Sequence, residues 1–439
     1  MKNALLISLL NLLFTTFVFA QWSYLGLGNK SVNKISILDS IAYVATDDGL
    51  FRKNLDVDDT LWTAIGLQGK MITDFILFDH YEIVACITDY YAVVDTSLYK
   101  TSDGGINWIP YQNGFGGEEG SKECHALEMN PDAPDTLYAR GSWAVAKSTN
   151  RGQNWQCVYG NWDQFGYQSP LIKIDRNNPA IVWAGGESSI FSPYLLKSTD
   201  YGNNWQFISI DTGGDNACYS LVINPNNSNE ALVGMEGRIM HTSDGGGNWN
   251  TIFSPASYTY IIDMEVSLNN SNLVYATGSD NGTGGGDLLF YKSGDFGNSW
   301  DTIKYTEGTG IYSAEDLEIK KTGNIDELFL ATNRGVYKYI NSLSNIDEPT
   351  LINDMKLFQN YPNPFNPTTT IRYHLPESGF TTIEVFNIAG QLIETLVREH
   401  KSSGFHSVEW NTPNAGSGIY FYRMKIGNFI DVKKCVKMN

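Results

Sequence analysis

Five near-copies of one eight-residue motif punctuate the middle of the chain, at residues 101–108, 148–155, 198–205, 242–249 and 293–300. Each reads Ser/Thr-x-Asp-x-Gly-x-x-Trp, with Asn150 in place of Asp in the second copy. The acidic or amide position (Asp103, Asn150, Asp200, Asp244, Asp295) returns after 47, 50, 44 and 51 residues. A period of this size marks a repeat architecture with one supersecondary unit per period. A hydroxyl and a carboxylate two residues apart can both bond to the backbone of one tight turn. The Gly two places later takes positive φ at little cost. Trp108, Trp155, Trp205, Trp249 and Trp300 then open the next strand with a large apolar plate. The motif is therefore expected to be a hairpin turn with a packed Trp on its exit strand.

The same frame surrounds every copy. An apolar strand runs into an Asn/Pro-rich turn, as at Leu127–Pro131 and Leu221–Pro225, and a second strand follows, as at Thr136–Ala139 and Ala231–Gly234. A third strand leads into the motif, giving four short strands per period. The frame extends to Ile41–Arg52, which ends near Trp62, and to Leu328–Lys338, which stops before any Trp. The segment Trp22–Leu25 reads like the strand that follows a motif and is expected to close a ring by completing the last unit. The fold expected is all-β: a seven-bladed β-propeller over residues 21–342, with six or eight blades also compatible with the period. The five motifs resemble the Asp-box (BNR) repeat, which in its family occupies the turn between the third and fourth strands of propeller blades.

Residues 1–20 have the charged start, apolar run and small-residue end of a secretory signal peptide. No other stretch is long and apolar enough to span a bilayer. The five Cys are scattered and odd in number, and read as isolated buried thiols. Formal net charge is −18; the last 83 residues carry eight Lys/Arg against six Asp/Glu, so residues 21–356 hold 21 basic and 42 acidic side chains. Such a surface excludes nucleic acid as a partner, since phosphate binding needs basic charge. The acidity fits solubility outside the cell.

A polar linker over 343–356 leads to a different composition. Three prolines in six residues (Pro362, Pro364, Pro367) impose an extended, turn-rich entry. Alternating strands follow at 370–375, 382–386, 391–396, 407–410 and 418–424, the makings of a small immunoglobulin-like β-sandwich over 357–439. This segment resembles the type A C-terminal sorting domain of type IX secretion cargo. The resemblance rests on Asn360–Pro367, Asn387–Leu392, Gly404–Trp410, Ser417–Arg423 and a basic tail of Lys433, Lys434 and Lys437. It implies engagement with the type IX secretion machinery through residues 357–439 and delivery outside the cell, or to the outer-membrane surface, of a Gram-negative bacterium.

In propellers the connections between strands 2 and 3, and between strand 4 and the next strand 1, build a funnel on one face. Candidate ligand-binding residues there are Arg140, Trp143, Glu187, Glu236, Arg238, Tyr260, Asp280 and Arg334, with Asp47 in the first blade. Aromatic plates beside carboxylates and Arg suit sugar rings; ordinary loop polarity and blade packing would place the same residue types. The motif Asp and Trp residues, on the opposite face, are expected to be structural. Sialidases of the Asp-box class carry an Arg-Ile-Pro motif that is missing here, and glycosidase chemistry needs two opposed carboxylates that do not stand out. The loop from Gly278 to Asp287 has carboxylates suited to calcium but no regular ligand spacing, and reads as a plain loop. The expectation is a secreted or surface binding or scaffold module without a cofactor, directed at an extracellular glycan or protein, with glycoside hydrolysis as the alternative.

Overall fold

The computed structural model describes residues 21–340, apart from 89–95, 117–122, 142–143, 161–170, 188–192, 211–216, 256–258, 281–287, 306–310, 312 and 324. It also describes residues 355–438, apart from 358–359, 361–362, 364, 376–377, 402–403, 414 and 428. The chain divides into two compact units between Ser344 and Asn345.

The first unit is built of seven antiparallel four-stranded sheets. Blade 1 takes Val32–Leu38, Ile41–Thr46, Gly49–Asn54 and Thr63–Ala64, and blade 2 takes Met71–Leu77, Ile83–Thr88, Leu98–Thr101 and Ile109–Pro110. Blade 3 comprises Ala126–Met129, Leu137–Arg140, Ala144–Ser148 and Gln156–Gly160; blade 4 comprises Leu171–Ile174, Val182–Glu187, Pro193–Ser198 and Gln206–Ser209. Blade 5 is Cys218–Asn224, Asn227–Met235, Arg238–Thr242 and Asn250–Phe253, and blade 6 is Thr259–Val266, Val274–Asp280, Leu288–Ser293 and Asp301–Tyr305. Blade 7 has three consecutive strands, Ala314–Thr322, Ile325–Thr332 and Gly335–Ile340, and borrows its fourth, Gln21–Gly26, from the chain's start.

That borrowed strand pairs in the register Trp22↔Tyr339 and Tyr24↔Tyr337. Without it, Gly335–Ile340 would be an open edge of unpaired backbone groups. Trp22 seals the joint by packing against Tyr339 at 4.9 Å and against Phe290 of blade 6 at 5.6 Å. The first strands of successive blades touch in cyclic order, and the last touches the first. The fold is thus the seven-bladed propeller expected from the repeat.

Burial follows position within a blade. Second strands are covered on both faces, so Ile83–Thr88 is buried throughout and reads as a continuous apolar run, whereas the fourth strand Gln206–Ser209 is mostly exposed. The core is divided into layers between neighbouring blades. Leu171, Trp183 and Leu195 of blade 4 pack on Cys218, Leu221 and Val233 of blade 5. Val32, Ile35 and Val44 of blade 1 pack on Phe329, Ala331 and Val336 of blade 7, so the closing interface resembles the others.

One expectation is corrected here. Cys86, on the second strand of blade 2, and Cys124, just before blade 3, form a disulfide with Cα atoms 5.3 Å apart. They lie 38 residues apart in sequence and meet because neighbouring blades pack face to face. Cys157, Cys218 and Cys435 are free thiols.

The second unit is a two-sheet sandwich. One sheet joins Lys356–Leu357, Thr368–Leu375 and Gly404–Asn411; the other orders Leu392–Lys401, Gly379–Asn387, Gly418–Ile426 and Phe429–Lys437. Its core holds Trp410, Tyr373, Tyr422, Phe365 and Met424. The segment read as a basic tail is the edge strand Phe429–Lys437, with Lys433 paired to Tyr422 and Lys434 to Phe421. Lys437 is 4% exposed. The run of lysines concealed a strand whose apolar residues fall on both of its faces, so no period-2 pattern announced it.

Candidate functional site

The five motifs form one hydrogen-bond circuit, repeated. In blade 4, Ser198 Oγ donates to Asp200 Oδ1 (2.8 Å) and accepts from Gly202 N (2.8 Å), while Asp200 Oδ1 also accepts from Asn204 N (2.8 Å). Thr101/Asp103, Thr242/Asp244 and Ser293/Asp295 repeat these bonds within 0.2 Å. Asn150 serves as well as Asp: its Oδ1 accepts from Ser148 Oγ at 2.9 Å and from Asn154 N at 2.8 Å. The side-chain and backbone donors of Asn204 and Asn248 hold the Asp200 and Asp244 carboxyls down at about 2.

Each turn also locks onto neighbouring structure. The residue between Asp and Gly is left-handed in every copy, with φ of 58° at Arg151, 60° at Tyr201 and 50° at Phe296. Its N–H bonds the turn between strands 1 and 2 of the same blade, as Tyr201 N does to Ala180 O at 2.9 Å. The motif Gly presses on the preceding blade: a Cβ on Gly105 would lie 2.1 Å from Ile65 O, and one on Gly246 2.8 Å from the Trp183 ring. Trp108 Nε1 donates back to Ile65 O at 2.9 Å. The Ser/Thr and Asp or Asn groups thus brace their own turn between strands 3 and 4, while the Gly and Trp108 contacts reach the preceding blade. Of the motif Trp residues only Trp155 is buried, at 5% exposed; Trp108, Trp205, Trp249 and Trp300 are half-buried.

A second set of polar groups occupies the ring's inner edge. The first strand of each blade is an edge, and its outward N–H groups need partners. Asp74 Oδ2 accepts from Leu127 N of blade 3 (2.8 Å), Asp263 Oδ2 from Leu317 N of blade 7 (2.9 Å), and Asp316 Oδ2 from Ile35 N of blade 1 (2.9 Å). Lys34 bridges to Asp316 at 2.9 Å and Lys173 to Glu265 at 3.1 Å. Burial pushes Asp74 up to about 6, Asp263 to about 7 and Glu318 to about 8. Burial alone would lower the Lys173 ammonium, but Glu265 and Asp263 outweigh it and hold it above its ordinary value. Sequence reasoning missed this ring; its signal was the acidic pairs Asp263/Glu265 and Asp316/Glu318, each two residues apart on a first strand and so on one face of it.

The predicted funnel residues are only partly brought together. Glu187 ends the second strand of blade 4, Glu236 follows the second strand of blade 5, and Tyr260 opens blade 6. Glu236 and Tyr260 are joined by a backbone bridge. At their centre is Tyr219, the bulged residue between Cys218 and Ser220, which sequence reasoning did not single out. Its ring meets Tyr260 edge-on at 5.4 Å. Burial, then the fields of Tyr260, Glu236 and Glu187, push its hydroxyl up. Arg238 starts the third strand of blade 5, two residues from Glu236.

Arg140 lies elsewhere, 3% exposed at the end of blade 3's second strand, with Nη2 donating to the Tyr194 hydroxyl of blade 4. Arg334 is exposed in blade 7, where its N–H donates to Thr332 Oγ1 at 3.1 Å. Trp143, the side chain of Asp280 and residues 281–287 of the candidate calcium loop lie outside the described residues. Among the described residues no group of three or more His, Cys, Asp or Glu is placed to hold a metal ion. No helix among them is long and apolar enough to cross a membrane.

Residues 359–438 match the family model of the secretion system C-terminal sorting domain. A curated relative, a xyloglucanase from Hypocrea jecorina (strain QM6a), is 23% identical over 245 residues, covering 54% of this chain and 26% of the relative. The chain therefore spans about a quarter of that relative's length. Among solved structures, YCF48 from Cyanidioschyzon merolae aligns with a TM-score of 0.53 and 14% identity, covering 74% of this chain and all of that one. The GH74 xyloglucanase from Xanthomonas campestris aligns with a TM-score of 0.55 and 15% identity, over 75% of this chain and 55% of its own. These likenesses establish the propeller fold. The C-terminal sandwich is a type IX secretion sorting domain, and the chain is a propeller protein exported to the cell surface or the extracellular space.

Proposed function

We propose that the propeller is an exported binding module whose funnel face takes an extracellular glycan. The observation that carries this reading is the Tyr219–Tyr260 pair at 5.4 Å, set beside Glu236 on the seam between blades 5 and 6. Aromatic faces stack on the apolar faces of sugar rings, and flanking carboxylates accept from their hydroxyls. Among the described residues this cluster sets two aromatic rings beside a carboxylate where blades 5 and 6 meet. A glycan array probed with the full chain is expected to give Tyr260-dependent binding, with Tyr260→Ala weakening it about ten-fold or more through loss of one stacking plate. Array binding unchanged in Tyr260→Ala places the ligand elsewhere.

Hydrolysis is the second reading, favoured by the curated xyloglucanase relative and by two carboxylates, Glu187 and Glu236, whose fields converge on Tyr219. Two carboxyl groups are the minimal equipment of most glycosidases. No turnover is expected on xyloglucan, β-glucans or sialosides. Hydrolysis abolished by either Glu187→Gln or Glu236→Gln, with the fold intact, would establish the enzyme instead.

A further inference from the structure

Arg140 is a buried cation without a counter-charge among the described residues. Nη1 donates to the carbonyl oxygens of Gly141 (2.5 Å) and Ala144 (3.2 Å), and Nη2 to the Tyr194 hydroxyl. All three acceptors are neutral. Nε is shielded from solvent and has no partner. Lys53, the other cation of the ring buried to this degree among the described residues, is paired with Asp59 at 2.5 Å. Among the described residues no carboxylate stands at ion-pair distance from Arg140.

A guanidinium cannot shed its proton to escape this position. Burying it without an opposing charge is costly, and neutral acceptors offset only part of that cost. Three of its five N–H groups are used by the bonds above. Nε–H and one further N–H remain, the number a bidentate oxyanion requires. The Tyr194 ring, stacked on Phe207 at 5.6 Å, fixes the guanidinium from the blade 4 side, with 6.0 Å from Arg140 Cζ to the ring centre. Arg140 also borders the connection between strands 2 and 3 of blade 3, on the funnel side.

We infer that Arg140 is the receptor for an oxyanion, a carboxylate or sulfate carried by a ligand of the funnel face, at the joint of blades 3 and 4 and apart from the Tyr219–Tyr260 cluster. This rests on the reading of that face as a glycan surface, and narrows it to acidic glycans. The test uses the full chain with trigalacturonate, its neutral methyl ester, and inorganic sulfate alone. Wild type is expected to bind the acid about ten-fold more tightly than the ester, the value of a charge-assisted pair. Arg140→Met should close that gap, and Tyr194→Phe, which keeps the ring but removes the hydroxyl that orients Nη2, should narrow it. Sulfate should raise the melting temperature of wild type and not of Arg140→Met. If Arg140→Met does not fold, the acid–ester comparison in wild type and Tyr194→Phe decides. Equal binding of acid and ester overturns the inference while leaving the glycan reading standing. A sulfate shift that needs Arg140, with no oligosaccharide bound, supports the inference and sinks the glycan reading. No response to trigalacturonate or sulfate overturns the inference outright.

Discussion

The Ser198 hydroxyl accepts from the buried Gly202 N–H while donating to Asp200, so Ser198→Ala strands a buried donor. Equilibrium denaturation should show a loss of about 1–3 kcal/mol, the cost of an unsatisfied buried group. Asp200→Asn should be nearly silent by the same measurement, because Asn150 makes the equivalent bonds in blade 3; Asp200→Ala should lower stability. The Trp positions diverge from the uniform buried plate that the motif suggests. Trp155→Ala, at 5% exposed, should cost about 3–5 kcal/mol, and half-buried Trp205→Ala clearly less. The motif Gly was legible as a positive-φ position. The left-handed residue before it, Tyr201 in blade 4, was not, because its conformation is enforced by the bond to Ala180 O in a turn 21 residues earlier.

Strands and their order were the most legible features, since each blade repeats a local pattern and each turn carries its own chemistry. Closure was readable for the same reason: Trp22–Leu25 copies the fourth strand that blade 7 lacks. Removing residues 21–26 exposes the edge Gly335–Ile340 and the Trp22 contacts with Phe290 and Tyr339. The melting temperature should fall by several degrees or more; an unchanged value refutes the closure. Features that depend on two blades meeting were not legible. Cys86 and Cys124 share no local motif, Tyr219 becomes central only through a bulge, and the charges that stitch Asp74, Asp263 and Asp316 to the next blade look like scattered surface acids until the ring is closed.

At the scale of the whole ring, two populations of carboxyl groups titrate in opposite senses. In the motif turns, Asp200 and Asp244 are depressed to about 2 by the bonds they accept. Their contribution is present above the unfolded value of about 4 and is lost as pH falls through about 2. At the inner edge, burial raises Asp74 to about 6, Asp263 to about 7 and Glu318 to about 8. Their contribution is complete below about 4 and is lost as pH rises through those values, because the folded ring must then ionise groups it holds away from water. The excess of acidic side chains over residues 21–356 acts in the same direction, since repulsion grows as they ionise. Stability should therefore peak near pH 4–5 and decline towards pH 8, an acidic optimum unlike the near-neutral one usual for domains whose acids are salt-bridged. Glu318 isolates the ring's share. Glu318→Gln removes one of these titrations and leaves the motif turns untouched. Urea denaturation of the full chain from pH 4 to pH 9 should show a shallower decline in the variant, with the two curves meeting at the acid end. Parallel curves across that range would mean that the inner ring is solvated enough to ionise freely, and that surface repulsion alone sets the slope.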